Sequence, residues 1–332
     1  MRLLVANTDA DWYRHLSGLA SGPSGLDEAN FWKPSGGTGF GALGFGEPLV
    51  FKLKKAHGHA VVGFGLFAAF RRLSVAEAWE AFGQANGAAT LDEMWTRIAR
   101  YAYRAGPPEP YRPRHVVGCV LLGAPVLFPR EMWVDGPADW ADSIVTGRGY
   151  DSAAGEGRRI WRECLDRAAT LAQAVDIAAP AVVQDPGGQA SLFRADSAER
   201  YGTSQTIRPR LGQGTFRYAL EAAYGRCAVS GEHSLPALDA AHIVPYGEDA
   251  AGHALENGLL LRADIHRLFD AGYVTVTPDY EFQVSAKLHE DYDNGRVYYA
   301  MAGRTIWTPE APYPKPDRDR LDRHASTVFL GS

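Results

Sequence analysis

The sequence predicts an α+β chain of two domains, and three observations carry that expectation. Short apolar segments of β character alternate with Gly-rich connections through roughly the first 130 residues. Segments with helical period and capping residues interrupt and follow them. A stretch poor in apolar residues, from about Gln184 to Gln213, then parts this region from a run with hairpin signals. The expected boundaries are a first domain over 1–183, a linker over 184–213 and a second domain over 214–332.

The strand segments of the first domain are Leu49 to Leu53, Ala60 to Phe67, Val116 to Leu122 and Val126 to Phe128, which imply a mixed sheet. Ser74 caps a helix from Val75 to Phe82, with Glu77 completing a capping box and Gly83 stopping the last turn. Thr90 caps a second from Leu91 to about Tyr101, where Asp92 and Glu93 suit the first turn and Met94, Ile98 and Tyr101 share one face. The spacing of Ile160, Trp161, Cys164, Ala168, Leu171 and Val175 gives a third helix from Gly157 to about Ala178.

In the second domain a helix from Phe216 to Tyr224 ends at Gly225, and an apolar strand runs from about Leu238 to Val244. Asp264 is the expected cap of a short helix that puts His266 and Asp270 on one face and ends at Gly272.

Composition sets further bounds. With 46% hydrophobic and 22% charged residues the 332-residue chain is that of a soluble globular protein. No run reaches the roughly 18 to 20 apolar residues of a membrane span, and Asp9, Asp11 and Trp12 break up the start, so a cytoplasmic location and no membrane partner are expected. Cys119, Cys164 and Cys227 are far apart and form no CxxC pair, so each reads as a small buried residue. A net charge of −5 means that any nucleic-acid surface is a local patch. The stretch Gln205 to Arg217 offers one, with Arg208, Arg210 and Arg217 and no acidic residue.

The segments AAHIVPY, ENGLLLR and DIHRLFDAG, in this order, resemble the HNH family over about Phe216 to Val284. Taken singly, a strand histidine is most often structural and Asn257-Gly258 is a turn signal; the ordered set at hairpin-to-helix spacing is far more specific. The resemblance implies a ββα-metal fold and phosphodiester hydrolysis with one divalent ion: Mg²⁺, Mn²⁺, Co²⁺ or Ni²⁺. It makes His242 the general base, His266 a metal ligand, and Asn257 the residue that ties the loop to the hairpin. An imidazole with an ordinary pKa of about 6.5 suits a base near neutral pH. Many family members carry Asp or His immediately before the base, whereas this chain has Ala241. Asp239, on the same side of the strand as residue 241, and Asp270, on the face of His266, are the expected replacements. His253 reads as an exposed loop residue, and His289 and His324 lie outside the matching blocks.

The run FWKPSGGTGFGALGFGEPLVFKLKKAHGHAVVGFGLF is similar to the EVE and PUA-like family, over about residues 1–150. That similarity implies a small mixed β-barrel with helices. In modification-dependent restriction enzymes that pair such a domain with HNH, the barrel takes a flipped, modified base into an aromatic pocket. Phe31, Trp32, Trp133 and Trp140 are the expected pocket aromatics, and Lys33, Lys52, Lys54 and Lys55 the cations for the DNA backbone.

The expected function is therefore a modification-dependent DNA restriction endonuclease of phage defence, acting on double-stranded DNA. Two alternatives stand beside it: an HNH nuclease without modification dependence, including an RNA-directed one, and a non-catalytic nucleic-acid reader in which Ala241 marks lost metal binding. Because one HNH site cuts one strand, double-strand cleavage requires a homodimer or two sequential events.

Overall fold

Continuous rather than alternating apolar runs mark strands covered on both faces, and Pro48–Leu53, buried at every position, is such a run. In the computed structural model the described residues are 1–22, 25–37, 39–103, 110–178, 212–245 and 253–331. The chain divides into two compact units, Met1–Thr215 and Phe216–Ser332. Most of the expected linker lies outside the described residues.

The first unit runs β1 (Arg2–Thr8), α1 (Ala10–Ala20), β2 (Glu28–Lys33), β3 (Pro48–Leu53), β4 (Val61–Ser74), α2 (Val75–Phe82), α3 (Leu91–Ala102), β5 (Val116–Leu127), β6 (Gly147–Asp151) and α4 (Gly155–Ala178). Its strands form one six-stranded mixed sheet, β2-β5-β4-β3-β1-β6. Among the described residues only β1 and β3 pair in parallel, Leu4 opposite Leu49 and Ala6 opposite Phe51. One core holds Trp12 and Leu16 of α1 with Leu49, Phe51 and Leu122. The other holds Leu3, Val5, Val50 and Phe64 with Ile160 and Trp161 of α4. Successive residues of β1 and β3 thus feed opposite cores, as the pleat requires.

The sheet is open. Among the described residues β2 and β6 are its edges and nothing pairs them, so the barrel expected from the EVE and PUA-like similarity does not close. The segments expected as two strands, Val116 to Leu122 and Val126 to Phe128, are the single strand β5, which follows β4 past two register shifts. β4 itself continues to Ser74, beyond the expected end at Phe67.

The expected helices form with their caps: Ser74 and Glu77 make the reciprocal capping box of α2, and Thr90 Oγ1 accepts from Glu93 N at 3.2 Å at the start of α3. A buried carboxamide then ties α2 to the sheet. Asn86 donates to the carbonyls of Ala78 and Gly83 at 2.9 and 2.8 Å and accepts from Asn30 of β2 at 2.9 Å. At Gly87, φ is +79° and a Cβ would lie 2.0 Å from Trp12 Cδ1, so the indole occupies the space a side chain would need.

The second unit runs α5 (Gln213–Tyr224, beginning just before it), β7 (Leu238–His242), β8 (Gly258–Arg262), α6 (Ala263–Asp270), β9 (Val274–Val276), β10 (Phe282–Val284), α7 (Lys287–Tyr292), α8 (Arg296–Tyr299) and α9 (Arg318–Thr327). β7, β8 and α6 make a ββα unit, and β9 and β10 a second hairpin. His324 of α9, 3% exposed, locks the far side of α6. Its Nε2 donates to Phe269 O at 3.1 Å, which leaves Nδ1 to accept from Thr275 Oγ1 at 2.9 Å, while its ring stacks on Phe269 at 3.7 Å. No described helix is long and apolar enough to cross a membrane.

Two outcomes follow. Ser74→Ala is expected to cost about 1 kcal/mol of stability, read from the urea midpoint. Burial lowers the His324 pKa to about 4, against 6.5 when exposed. Below pH 6.5 the unfolded chain therefore takes up a proton that the folded chain refuses, and stability falls as pH drops from 6.5 towards 4. His324→Gln is expected to make that fall shallower, by the share His324 contributes; an equally steep fall in the variant would show that another group causes it.

Candidate active site

The ββα unit is set by packing of α5 on the hairpin. β7 and β8 pair antiparallel, with His242 opposite Gly258 and Asp239 opposite Leu261. Gly258 is extended at φ −132°, not in the positive-φ conformation of a glycine turn. Its reason is space: a Cβ there would lie 2.8 Å from Phe216 Cζ and Leu220 Cδ1. Asn257, fully buried, returns both halves of its carboxamide to one residue of the opposite segment. Its Oδ1 accepts from Val244 N and its Nδ2 donates to Val244 O, both at 2.9 Å. Ile243 N donates to Asn257 O at 2.9 Å, so the chain just after His242 is held by three bonds to Asn257.

His242 is half-buried, its ring stacked on Phe216 with centroids 4.4 Å apart and planes 11° from parallel. Its Nε2 lies 2.8 Å from Nδ1 of His253. Burial, then the neighbouring His253 and His266, lower its pKa to about 4, so it is neutral near pH 7. His253 is thus not the exposed loop residue expected from the sequence. Its only sequence signal was its position eleven residues after His242, a spacing that has no meaning without the fold.

On α6, Nε2 of His266 lies 3.3 Å from Asp270 Oδ2, the pair four residues apart that the helical spacing predicted. Nδ1 of the same ring lies 3.5 Å from Asp239 Oδ2 on β7. Burial raises the pKa of Asp270, His266 opposes that rise and Asp239 adds to it, so two carboxylates compete for one imidazole. An imidazole nitrogen with carboxylate oxygens is a donor set that fits a divalent cation, whose charge would relieve the repulsion between Asp239 and Asp270. Among the described residues, no three His, Cys, Asp or Glu side chains already surround one cation position. Asp264 does not cap α6. The helix starts two residues earlier, at Ala263 after Arg262, and Asp264 instead pairs with that guanidinium at 2.6 and 2.7 Å and accepts from Tyr298 Oη at 3.0 Å. All three cysteines are buried and free, and Cys227 Sγ accepts from the backbone of Arg262 at 3.2 Å behind the hairpin.

Of the four aromatics expected to form a base pocket, the structure brings two together. Phe31 and Trp32 of β2 line a cavity of about 570 Å³ in the first unit, with Trp12, Phe40, Tyr101, Lys33 and Lys54. Trp32 Nε1 donates to Asn86 O at 2.9 Å, which fixes the indole. Trp133 and Trp140 line no part of it. Trp133 Nε1 donates to Tyr13 Oη and Phe128 O, both at 3.1 Å, and Trp140 packs against the second core. Lys52 is 1% exposed, with Nζ bonded to Leu53 O at 3.0 Å and 4.4 Å above the Trp140 ring, so it cannot reach a DNA backbone. The sequence reading missed Trp12, Phe40 and Tyr101. Trp12 belongs to α1, which was not expected, and Phe40 sits in a Gly-rich run with no periodic signal.

Arg208 and Arg210 lie outside the described residues. Arg217 is half-exposed on α5, its Nε 3.1 Å from Glu221 Oε1, so an acidic partner already shares its charge.

The profile of the HNH endonuclease family matches residues 227–277, the segment that holds His242, Asn257, His266 and both aspartates. Among solved structures, the modification-dependent restriction endonuclease TagI aligns at 19% identity over 37% of this chain and 39% of its own, with a TM-score of 0.26. An alignment that loose decides neither fold nor activity. No curated protein matches the chain.

Removing the Asn257 carboxamide leaves the Val244 N–H and C=O without their partners. Asn257→Ala is expected to lower the unfolding free energy by about 2–6 kcal/mol, at about 1–3 kcal/mol for each of the two buried unsatisfied groups. A loss within error in urea titration would show that this clamp does not hold the site.

Proposed function

We propose that the chain is a divalent-metal-dependent DNA endonuclease of the modification-dependent restriction type, in which the second unit cleaves and the first selects the substrate. The observation that supports this best is the gathering, on β7, β8 and α6, of a neutral imidazole, His242, beside a nitrogen-and-carboxylate set from His266, Asp239 and Asp270. All of them lie inside the segment that matches the HNH endonuclease family.

Hydrolysis of a phosphodiester needs a base to take a proton from water and a means of offsetting negative charge. His242 is the base in this reading. Phe216 fixes its ring plane, and Asn257 fixes the backbone on its C-terminal side. His266 and Asp239 would hold a cation, with Asp270 either joining them or orienting the ring through its other nitrogen. Asp239 takes over the part left open by Ala241, two residues along the same strand side. A bound divalent ion would offset charge on the phosphate and the leaving oxygen.

The cavity of the first unit supports the choice of a modified base as the selected feature. Trp12, Phe31, Trp32, Phe40 and Tyr101 supply flat walls, and about 570 Å³ accommodates a flipped nucleotide. Lys33 and Lys54 place positive charge at the same cavity, where a DNA backbone would follow the flipped base. Double-stranded DNA with a modified base is the proposed partner. A homodimer would let two such sites cut both strands.

The test is cleavage of matched duplexes, unmodified or carrying N6-methyladenine, 5-methylcytosine or 5-hydroxymethylcytosine, with Mg²⁺, Mn²⁺, Co²⁺ or Ni²⁺. One modified duplex is expected to be cut, His242→Ala to lower the rate by about 10²- to 10⁴-fold, and Trp32→Ala to weaken the preference for the modified duplex by about tenfold or more. Equal cutting of all duplexes would keep the nuclease and remove the base reader. No cutting of any duplex with any of the ions would leave a nucleic-acid reader without catalysis.

A further inference from the structure

The contact between His242 and His253 limits how His242 can act. A neutral imidazole carries one N–H and one lone pair, so two ring nitrogens 2.8 Å apart are joined by one proton, held by one ring and accepted by the other. Suppose His253 donated from Nδ1. His242 Nε2 would then spend its lone pair on that bond, and its proton would sit on Nδ1, leaving no basic site. In the opposite arrangement Nε2–H of His242 donates, and the lone pair on its Nδ1 remains available. Rotating the ring to exchange the nitrogens would break the bond to His253, while Phe216 packs against both imidazoles, with centroids 4.4 and 5.4 Å away, and holds their planes.

We propose that His253 is a positioning residue that fixes the tautomer of His242, accepting its Nε2–H so that Nδ1 takes the proton from the attacking water. This rests on the reading of His242 as the base. In the step itself, one water proton passes to His242 Nδ1, the water oxygen forms the new bond to phosphorus, and the bond from phosphorus to the leaving oxygen breaks. The leaving oxygen collects a proton from solvent. His253 touches neither water nor phosphate. A carboxylate in its place would fix the same tautomer but hold the proton on His242 more tightly. A neutral acceptor orients the ring and still lets the imidazolium give up its proton for the next turnover.

The test uses the full-length chain without metal, ¹⁵N-labelled at histidine, at pH 7. In the wild type the His242 signals are expected at the positions of a protonated Nε2 and an unprotonated Nδ1. In His253→Leu, which has no acceptor, they are expected to move towards a mixture of tautomers, with kcat for DNA cleavage falling about 10- to 100-fold and KM unchanged. His253→Asn, whose amide oxygen can sit where Nδ1 was, is expected to recover both the tautomer and most of the rate; a packing role alone would not predict that recovery. A wild-type His242 protonated on Nδ1, or a leucine variant with unchanged tautomer and kcat, would overturn the proposal. His242→Ala separates this from failure of the parent reading. If that variant still cuts, His242 is not the base; if it is inactive while His253→Leu is fully active, only the role of His253 falls. The spectra decide the tautomer even if no substrate is cut.

Discussion

The buried carboxamide of Asn257 is the constraint on which the second unit's site depends. It bonds Val244 through donor and acceptor at once, while its own carbonyl takes Ile243 N–H. The end of β7 and the start of β8 are thereby fixed where the chain would otherwise fray. His242 stands immediately before this clamp and Gly258 immediately after it. The missing side chain at Gly258 admits Phe216, the ring that carries both His242 and His253. One amide thus links the hairpin, the helix beneath it and the orientation of two imidazoles.

Burial gives the two groups of titrating residues opposite characters. Around His242, packing and the nearby rings hold the imidazole neutral, the state a base requires. Around His266, burial and Asp239 together raise the Asp270 carboxyl, and a positive charge would relieve that arrangement. His324 is neutral for the same reason as His242 but spends both nitrogens on Phe269 and Thr275, which makes it a structural residue. The two histidines differ in whether any nitrogen is left for chemistry.

Much of this was legible in the sequence. Local signals that need no partner, such as the Ser74–Glu77 capping box and the four-residue spacing of His266 and Asp270, appear in the structure as read. Elements without such signals were missed. β1 is a short apolar strand buried between two cores and has no alternation to mark it, and β6 is a five-residue edge. The barrel expected from similarity is an open sheet, because closure is a property of strand pairing that no single segment encodes. His253 meets His242 in the second unit, and Trp12, Phe40 and Tyr101 meet around the cavity of the first, only through returns of the chain, whereas the side chains of Trp133 and Lys52 are spent on the core.

Whether the ββα unit holds a divalent ion beside a neutral imidazole base can be read from anomalous diffraction by crystals of the protein soaked in Mn²⁺. One strong peak per chain is expected within bonding distance of His266 and Asp239, lost in Asp239→Ala. A chain with no peak at α6, or with the ion bound elsewhere and indifferent to Asp239, would contradict a metal site there.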